Sequence, residues 1–184
     1  MIIGETGIEG VYLIEPRVHG DQRGFFKETY NRRNFLEQGL DLDFVQDNSS
    51  MSTKGVLRGL HFQNPHGQGK MVRVALGEVL DVVVDIRPES PTFGKSESFI
   101  LSAENHRQLY IKPGLAHGFL TLSDQALFIY KCTNFYHPES EHTLLYNDPS
   151  LSIDWAEMEL KVSEKDQKGR LLSDFKRDEL EAIC

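Results

Sequence analysis

"VLDVVVDI", residues 79–86, is the stretch on which the fold of this chain turns. Read at period two, Val79, Asp81, Val83 and Asp85 stand on one side and Leu80, Val82, Val84 and Ile86 on the other. A helix would spread these β-branched residues around its whole circumference, whereas a pleated strand packs them, so the stretch reads as a strand. Working outward, similar runs recur between turn signals: "GVYLIEP", "GFFKETY", "FVQDN", "VLRGLHFQ" and "KMVRVALG" before it, "SESFILSA", "QLYIKPG", "GFLTLS" and "ALFIYKCTNFY" after it. Leu76-Gly77-Glu78 reads as a tight connection, with Gly77 free to take φ > 0. A short helix is expected at Asn31 to Gln38, stopped by Gly39, and another in the tail from Ser173, which carries Phe175, Leu180 and Ile183. Many short strands with few helices make a mainly β sandwich, jelly roll or small barrel, and a barrel has a mouth and an interior for a ligand.

Length and composition bound the rest. A chain of 184 residues is expected to form one domain over 1–184, with a helical appendage from about residue 173. Hydrophobic residues at 39% and charged residues at 26% suit a globular protein rather than a disordered one. The first 30 residues carry Glu5, Glu9 and Glu15 and no long apolar run, so neither a signal peptide nor a membrane partner is expected. Two cysteines, Cys132 and Cys184, make no disulfide framework, and a cytoplasmic location is the default. With a net charge of −8 and no basic run longer than two, no nucleic-acid partner is expected. An anionic ligand would be held by a few specific arginines and lysines against the overall field.

The polar residues inside the strands need a reason. In "VLRGLHFQ", residues 56–63, strict alternation puts Arg58 with Val56, Leu60 and Phe62, and His61 with Leu57, Gly59 and Gln63. On spacing alone, His61 could be a satisfied core histidine and Arg58 a salt-bridged rim residue. A cupin-type metal site needs two histidines two apart, a carboxylate soon after and a distant third histidine. Here Gln63 stands in the place of the second histidine and no acid follows before Glu78, although His117 supplies the distant one, so no metal is expected. Arg23 and Glu28 could be an ion pair on an edge strand, and Gln46, Asp47 and Asn48 a turn. Lys70 could be a solvated strand end and Tyr130 core packing beside Phe128. Singly, each plain reading is adequate; their conjunction is not plain.

At "DQRGFFKE", "FVQDNSS", "VLRGLHFQ", "GKMVRV", "VDIRPESPTFG", "LSAEN", "AHGF" and "YNDPSLSIDW" the chain resembles the dTDP-4-dehydrorhamnose 3,5-epimerases, in order from about Ile8 to Asp174. The combination of "LRGLHFQ", a following "GK" and then "AHGF" is far more specific than any one of them. The resemblance implies a metal-free cupin jelly roll, a homodimer, no cofactor, and a dTDP-linked 4-keto-6-deoxy sugar as substrate.

By that resemblance His61 is the catalytic base, Asp166 in "SEKDQ" its carboxylate partner, Tyr130 the acid on the opposite face and Lys70 the stabiliser of the developing oxyanion. Such chemistry needs all four, because the protons at C3 and C5 both lie alpha to the C4 carbonyl and leave an enolate behind. Arg23, Glu28, Gln46, Asn48, Arg58, Lys70, His117, Glu141 and Lys165 match the family's substrate-binding positions, and Phe135 would stack on the thymine. Two departures, the absence of a tryptophan after "FG" and Lys112 and Leu115 in "IKPGLAHGF", bear on fine specificity. Two other readings stay open: a relative that inverts C3 alone or takes another nucleotide-linked 4-keto sugar, and a cupin that binds a sugar nucleotide without turning it over. Binding alone needs no acid and no base, and here candidates for both are present.

Overall fold

In the computed structural model, which describes residues 1–181, all of the 79–86 run but Ile86 falls in a strand of a two-sheet jelly roll. In chain order the strands are β1 (Ile2–Glu5), β2 (Val11–Glu15), β3 (Val18–Asp21), β4 (Gly24–Lys27), β5 (Gln46–Thr53), β6 (Val56–Gln63) and β7 (Lys70–Leu76). Then come β8 (Glu78–Asp85), β9 (Ser96–Ser102), β10 (Gln108–Ile111), β11 (Leu115–Thr121), β12 (Gln125–Cys132), β13 (Glu141–Thr143) and β14 (Lys161–Val162). One sheet has the order β1-β2-β10-β7-β12-β5 and the other β13-β6-β11-β8-β9, with β14 added beside β6 and β3-β4 forming a separate hairpin.

The two sheets face each other across one core. Val72, Val74, Leu109 and Phe128 from the first meet Val79, Val83, Leu115 and Phe119 from the second. The other side of the second sheet is also buried: Leu60, Val82, Val84, Ile86 and Ala116 pack under Leu144, Leu151, Leu172, Phe175 and Leu180. Burial on both faces explains why β8 reads as a nearly continuous apolar run. Gly77 (φ +76) turns the chain from β7 in one sheet to β8 in the other, and a Cβ there would lie 2.0 Å from the Gln125 carbonyl oxygen.

The helix expected at 31–38 is α1 (Arg32–Glu37); the Asn31 side chain caps it by accepting from the Arg33 N–H, and Gly39 follows it at φ +84. Its Phe35 covers the outer side of the first sheet with Leu40 and Leu42. The expected tail helix is corrected to a 3-10 turn at Leu172–Asp174 and one helical turn, here α3, at Arg177–Leu180. Leu172, Phe175 and Leu180 are plugs for the core beneath them rather than the stripe of a long helix, and Ile183 lies outside the described residues. β1, β3, β13 and β14 escape the sequence reading because they are short and carry no buried alternating run.

β6 departs from simple alternation. Against β11, Arg58 pairs with Phe119 but His61 pairs with His117, so three steps on β6 match two on β11. That extra residue is a β-bulge, centred on Gly59 (φ +115) and facing Gly118. Arg58 and His61 are therefore not on opposite faces as strict alternation requires; both open into the same cleft.

Candidate active site

The bulge sets the geometry of the site. A Cβ on Gly59 would lie 2.7 Å from the Gly118 Cα, and one on Gly118 would lie 2.5 Å from the Arg58 carbonyl oxygen. Two facing glycines let β6 and β11 close up where His61 and His117 stand side by side. β14 then runs parallel to the start of β6, Lys161 beside Val56, and delivers α2 (Glu164–Gln167) over the bulge. Ser163 caps α2 through the Asp166 N–H, which fixes the Asp166 side chain toward β6. Its Oδ1 lies 2.6 Å from His61 Nε2 and its Oδ2 accepts the Gly59 N–H at 3.3 Å.

Asp166 is buried, and burial alone would favour its neutral form. The bond and charge of His61 and the Gly59 N–H outweigh that, holding the carboxyl below its ordinary pKa. With Nε2 taken by Asp166, Nδ1 is the nitrogen of His61 left for chemistry. A second pair lies one strand over: His117 Nε2 sits 2.9 and 3.0 Å from the two oxygens of Asp81, which is wholly buried. The sequence reading passed over Asp81. Its signal was an acid at an inward position of an apolar strand, where a buried charge requires a partner.

Opposite this sheet, β7 and β12 supply Lys70 and Tyr130. Burial pushes the Lys70 amine down, while Cys132, Glu141 and Asp81 pull it back up. Among the described residues its ammonium makes no hydrogen bond, so its donors remain for a ligand. Burial pushes the Tyr130 phenol up, helped by Cys132 and Glu141, so it stays a proton donor at neutral pH.

The cleft has two adjoining lobes that share His61, Lys70 and Tyr130. The larger, about 430 Å³, also takes in Arg58, His117, Lys165 and Asp166 over a floor of Phe119 and Phe128, whose rings stack at 4.1 Å. The smaller, about 320 Å³, is edged by Gln46, Asn48, Gln63, Gln68, Tyr136 and Glu141. Burial opposes the Glu141 charge, but bonds from Lys165 and from the Tyr136 hydroxyl (2.8 Å) hold its pKa below the ordinary value.

Ten of the expected site residues thus border one cleft. Three do not. Arg23 sits in the β3–β4 hairpin, its side chain 90% exposed and paired with Asp21. Glu28 accepts from Asn31 and Asn34 at the start of α1. Phe135 is 59% exposed and lines neither lobe; its carbonyl accepts from Gln63, and the next ring, Tyr136, faces the cleft instead. Leu115 is a core residue and Lys112 lies over the Tyr12 ring, so this second departure from the family pattern falls outside the cleft. No group of three metal-ligating side chains occurs among the described residues.

Fold and cleft together define a class: a cupin-type jelly-roll enzyme that faces its ligand with a carboxylate-paired histidine, a phenol and an uncommitted lysine. Within it, the chain belongs to the dTDP-4-dehydrorhamnose 3,5-epimerase family, whose sequence model matches residues 5–174. The dTDP-4-dehydrorhamnose 3,5-epimerase of Salmonella typhimurium is 54% identical over 94% of this chain and 96% of its own. The Legionella pneumophila enzyme solved with dTDP-4-keto-L-rhamnose superposes with a TM-score of 0.95 at 49% identity, covering 98% of this chain and 97% of that one. ChmJ, a 3'-monoepimerase from Streptomyces bikiniensis solved as a double mutant with dTDP, gives 0.92 at 34% identity, covering 97% and 92%.

Proposed function

We propose that this chain inverts C3 and C5 of dTDP-4-dehydro-6-deoxy-D-glucose to give dTDP-4-dehydro-L-rhamnose. The observation that carries the reading is the shared edge of the two lobes, where His61, Tyr130 and Lys70 converge. His61 Nδ1 takes the proton alpha to the C4 carbonyl, and Asp166 stabilises the imidazolium that forms. Lys70 holds the charge that grows on O4; in a cleft poor in water that interaction is stronger than in solvent. Tyr130 returns a proton to the other face of the enolate, inverting the centre. A ketone needs no metal or cofactor for this exchange, given a base and a cation at its oxygen. Arg58, His117 and Lys165 border the larger lobe, which takes the diphosphate, and Gln46, Asn48 and Glu141 border the smaller, which takes the nucleoside.

Incubation with the keto-sugar in D₂O tests the reading. Deuterium at both C3 and C5 supports it. Label at C3 alone would make the chain a C3 epimerase like the monoepimerase it resembles. No label with intact dTDP binding would make it a binding module.

The chain works as a homodimer whose partner copy completes the site. Arg23 and Glu28 match substrate-binding positions of the family, yet lie outside the cleft of their own chain, and the same hairpin exposes Phe25 and Phe26 at 60% and 71%. Mixing an Arg23→Ala protein with a His61→Ala protein should restore activity, because a hybrid dimer keeps one intact site. Mixtures no more active than their parts would reject the exchange. A cytoplasmic location follows from a nucleotide-linked substrate.

A further inference from the structure

The larger lobe gathers more cations than acids. Lys165 is spoken for by Glu141, but Lys70, Arg58 and Lys161 make no ion pair among the described residues. Among the described residues the Arg58 side chain donates to the Ser52 hydroxyl alone, at 3.0 Å. Lys161 is exposed at the rim, held by its backbone: its N–H donates to the Gly55 carbonyl at 2.7 Å and β14 fixes it beside Val56. In a chain of net charge −8, three unpaired cations around one lobe are a local reversal of the overall field. Lys70 lies deep, next to the base and the phenol, so it is committed to the sugar end. Arg58 and Lys161 remain at the mouth.

We propose that Lys161 is a substrate-binding residue, pairing with Arg58 to grip the diphosphate of the nucleotide sugar. The inference rests on the epimerase reading above for the diphosphate, and adds a residue that the family pattern does not mark. Two cations from neighbouring strands, β6 and β14, can meet a diphosphate from two directions, whereas the Arg58 fork alone reaches it from one. An exposed lysine at the rim, away from the reacting carbons, contributes attraction that is equal in the ground and transition states. It lowers Kd and KM and leaves kcat alone.

The test compares Lys161→Ala, Lys161→Glu and Lys161→Arg by calorimetric titration with dTDP and with thymidine, alongside steady-state kinetics over a range of salt. We expect the alanine variant to bind dTDP about two- to five-fold more weakly, as befits one exposed ion pair, with KM raised equally and kcat unchanged. The glutamate variant should be weaker still and the arginine variant near wild type. Thymidine carries no phosphate and should bind all four proteins alike, and the salt dependence of dTDP binding should flatten in the alanine variant. A merely structural role would weaken thymidine as well. Unchanged dTDP affinity in both the alanine and glutamate variants overturns the inference, as does a fall in kcat at constant KM. Either result leaves the epimerase reading standing if the wild type still labels C3 and C5 in D₂O; a wild type that binds dTDP without labelling the sugar would sink that reading instead.

Discussion

At the scale of single residues, His61 and Tyr130 differ in what their loss should do to a labelled proton. His61→Ala removes the base, so wash-in of deuterium and inversion should fall together, by at least ~10²-fold. Tyr130→Phe keeps the ring against Phe128 and removes only the donor. The enolate still forms, and protons return from the His61 side or from water, so exchange persists while inversion drops. A Tyr130→Phe protein that lost exchange as fully as His61→Ala would make Tyr130 a base or a carbonyl-activating group. Lys70 predicts a pH limb. Burial lowers the Lys70 pKa and raises that of Tyr130, which brings the loss of the lysine charge toward neutral pH and moves the loss of the phenol proton away from it. Activity should decline as pH climbs through the lowered Lys70 value. In Lys70→Arg the charge survives, and whatever rate remains should show that limb moved upward. A limb that does not move belongs to another group.

At the scale of elements, the site depends on β6 breaking its own alternation. Most of the cleft was legible from motifs because "LRGLHFQ", "GK" and "AHGF" carry Arg58, His61, Lys70 and His117 on strands that do form. Which way those side chains point was not legible, since a period-two reading assumes an unbroken ladder and the bulge at Gly59 adds one residue. Which aromatic borders the cleft was not legible either: Phe135 and Tyr136 follow β12 in a loop, where alternation fixes neither. Asp166 lies 105 residues from His61, a distance that local pattern cannot span. The glycine pair makes the bulge testable. Gly118→Ala drives a methyl into the Arg58 carbonyl, backbone against backbone, so relief requires the strands to part. We expect a loss of roughly 1–3 kcal/mol of stability, and turnover reduced beyond what the remaining folded fraction explains, because His61 moves relative to Asp166. Denaturation midpoints and kcat of the variant would show it; wild-type values for both would mean the close approach is not needed.

At the scale of the whole molecule, three buried carboxylates tie the outer segments to the sheets. Asp85 accepts from Arg87, Ser90 and Thr92 and shapes the loop after β8. Asp148 accepts the Leu172 N–H at 2.7 Å and both groups of Ser150, fastening the tail that covers the second sheet. Asp166 joins α2 to β6. Burial opposes each charge, yet the donors win and all three titrate below their ordinary value of 3.8. A carboxylate whose folded pKa is depressed stabilises the fold fully above the unfolded value and loses that contribution as pH falls toward the folded one. Stability should therefore fall steeply below about pH 4, with the tail among the first segments to loosen.

Asp148 is the carboxylate to test, since it lies outside both lobes of the cleft and its loss does not touch the chemistry. Asp148→Asn keeps the shape but sets an amide against either the Leu172 N–H or the Ser150 groups, where only an acceptor fits. At pH 7 the variant should be less stable by about 1–3 kcal/mol, the usual loss for hydrogen bonds to a charged group. The deciding quantity is the difference between pH 7 and pH 3.5, measured by urea unfolding of each protein. Wild type should lose more stability across that interval than the variant, because the variant has already given up the part that depends on the Asp148 charge. If both lose the same amount, protonation of Asp148 plays no part in acid unfolding, and the steep decline has to come from the other depressed carboxylates, among them Asp85, Asp166, Glu141 and Glu179.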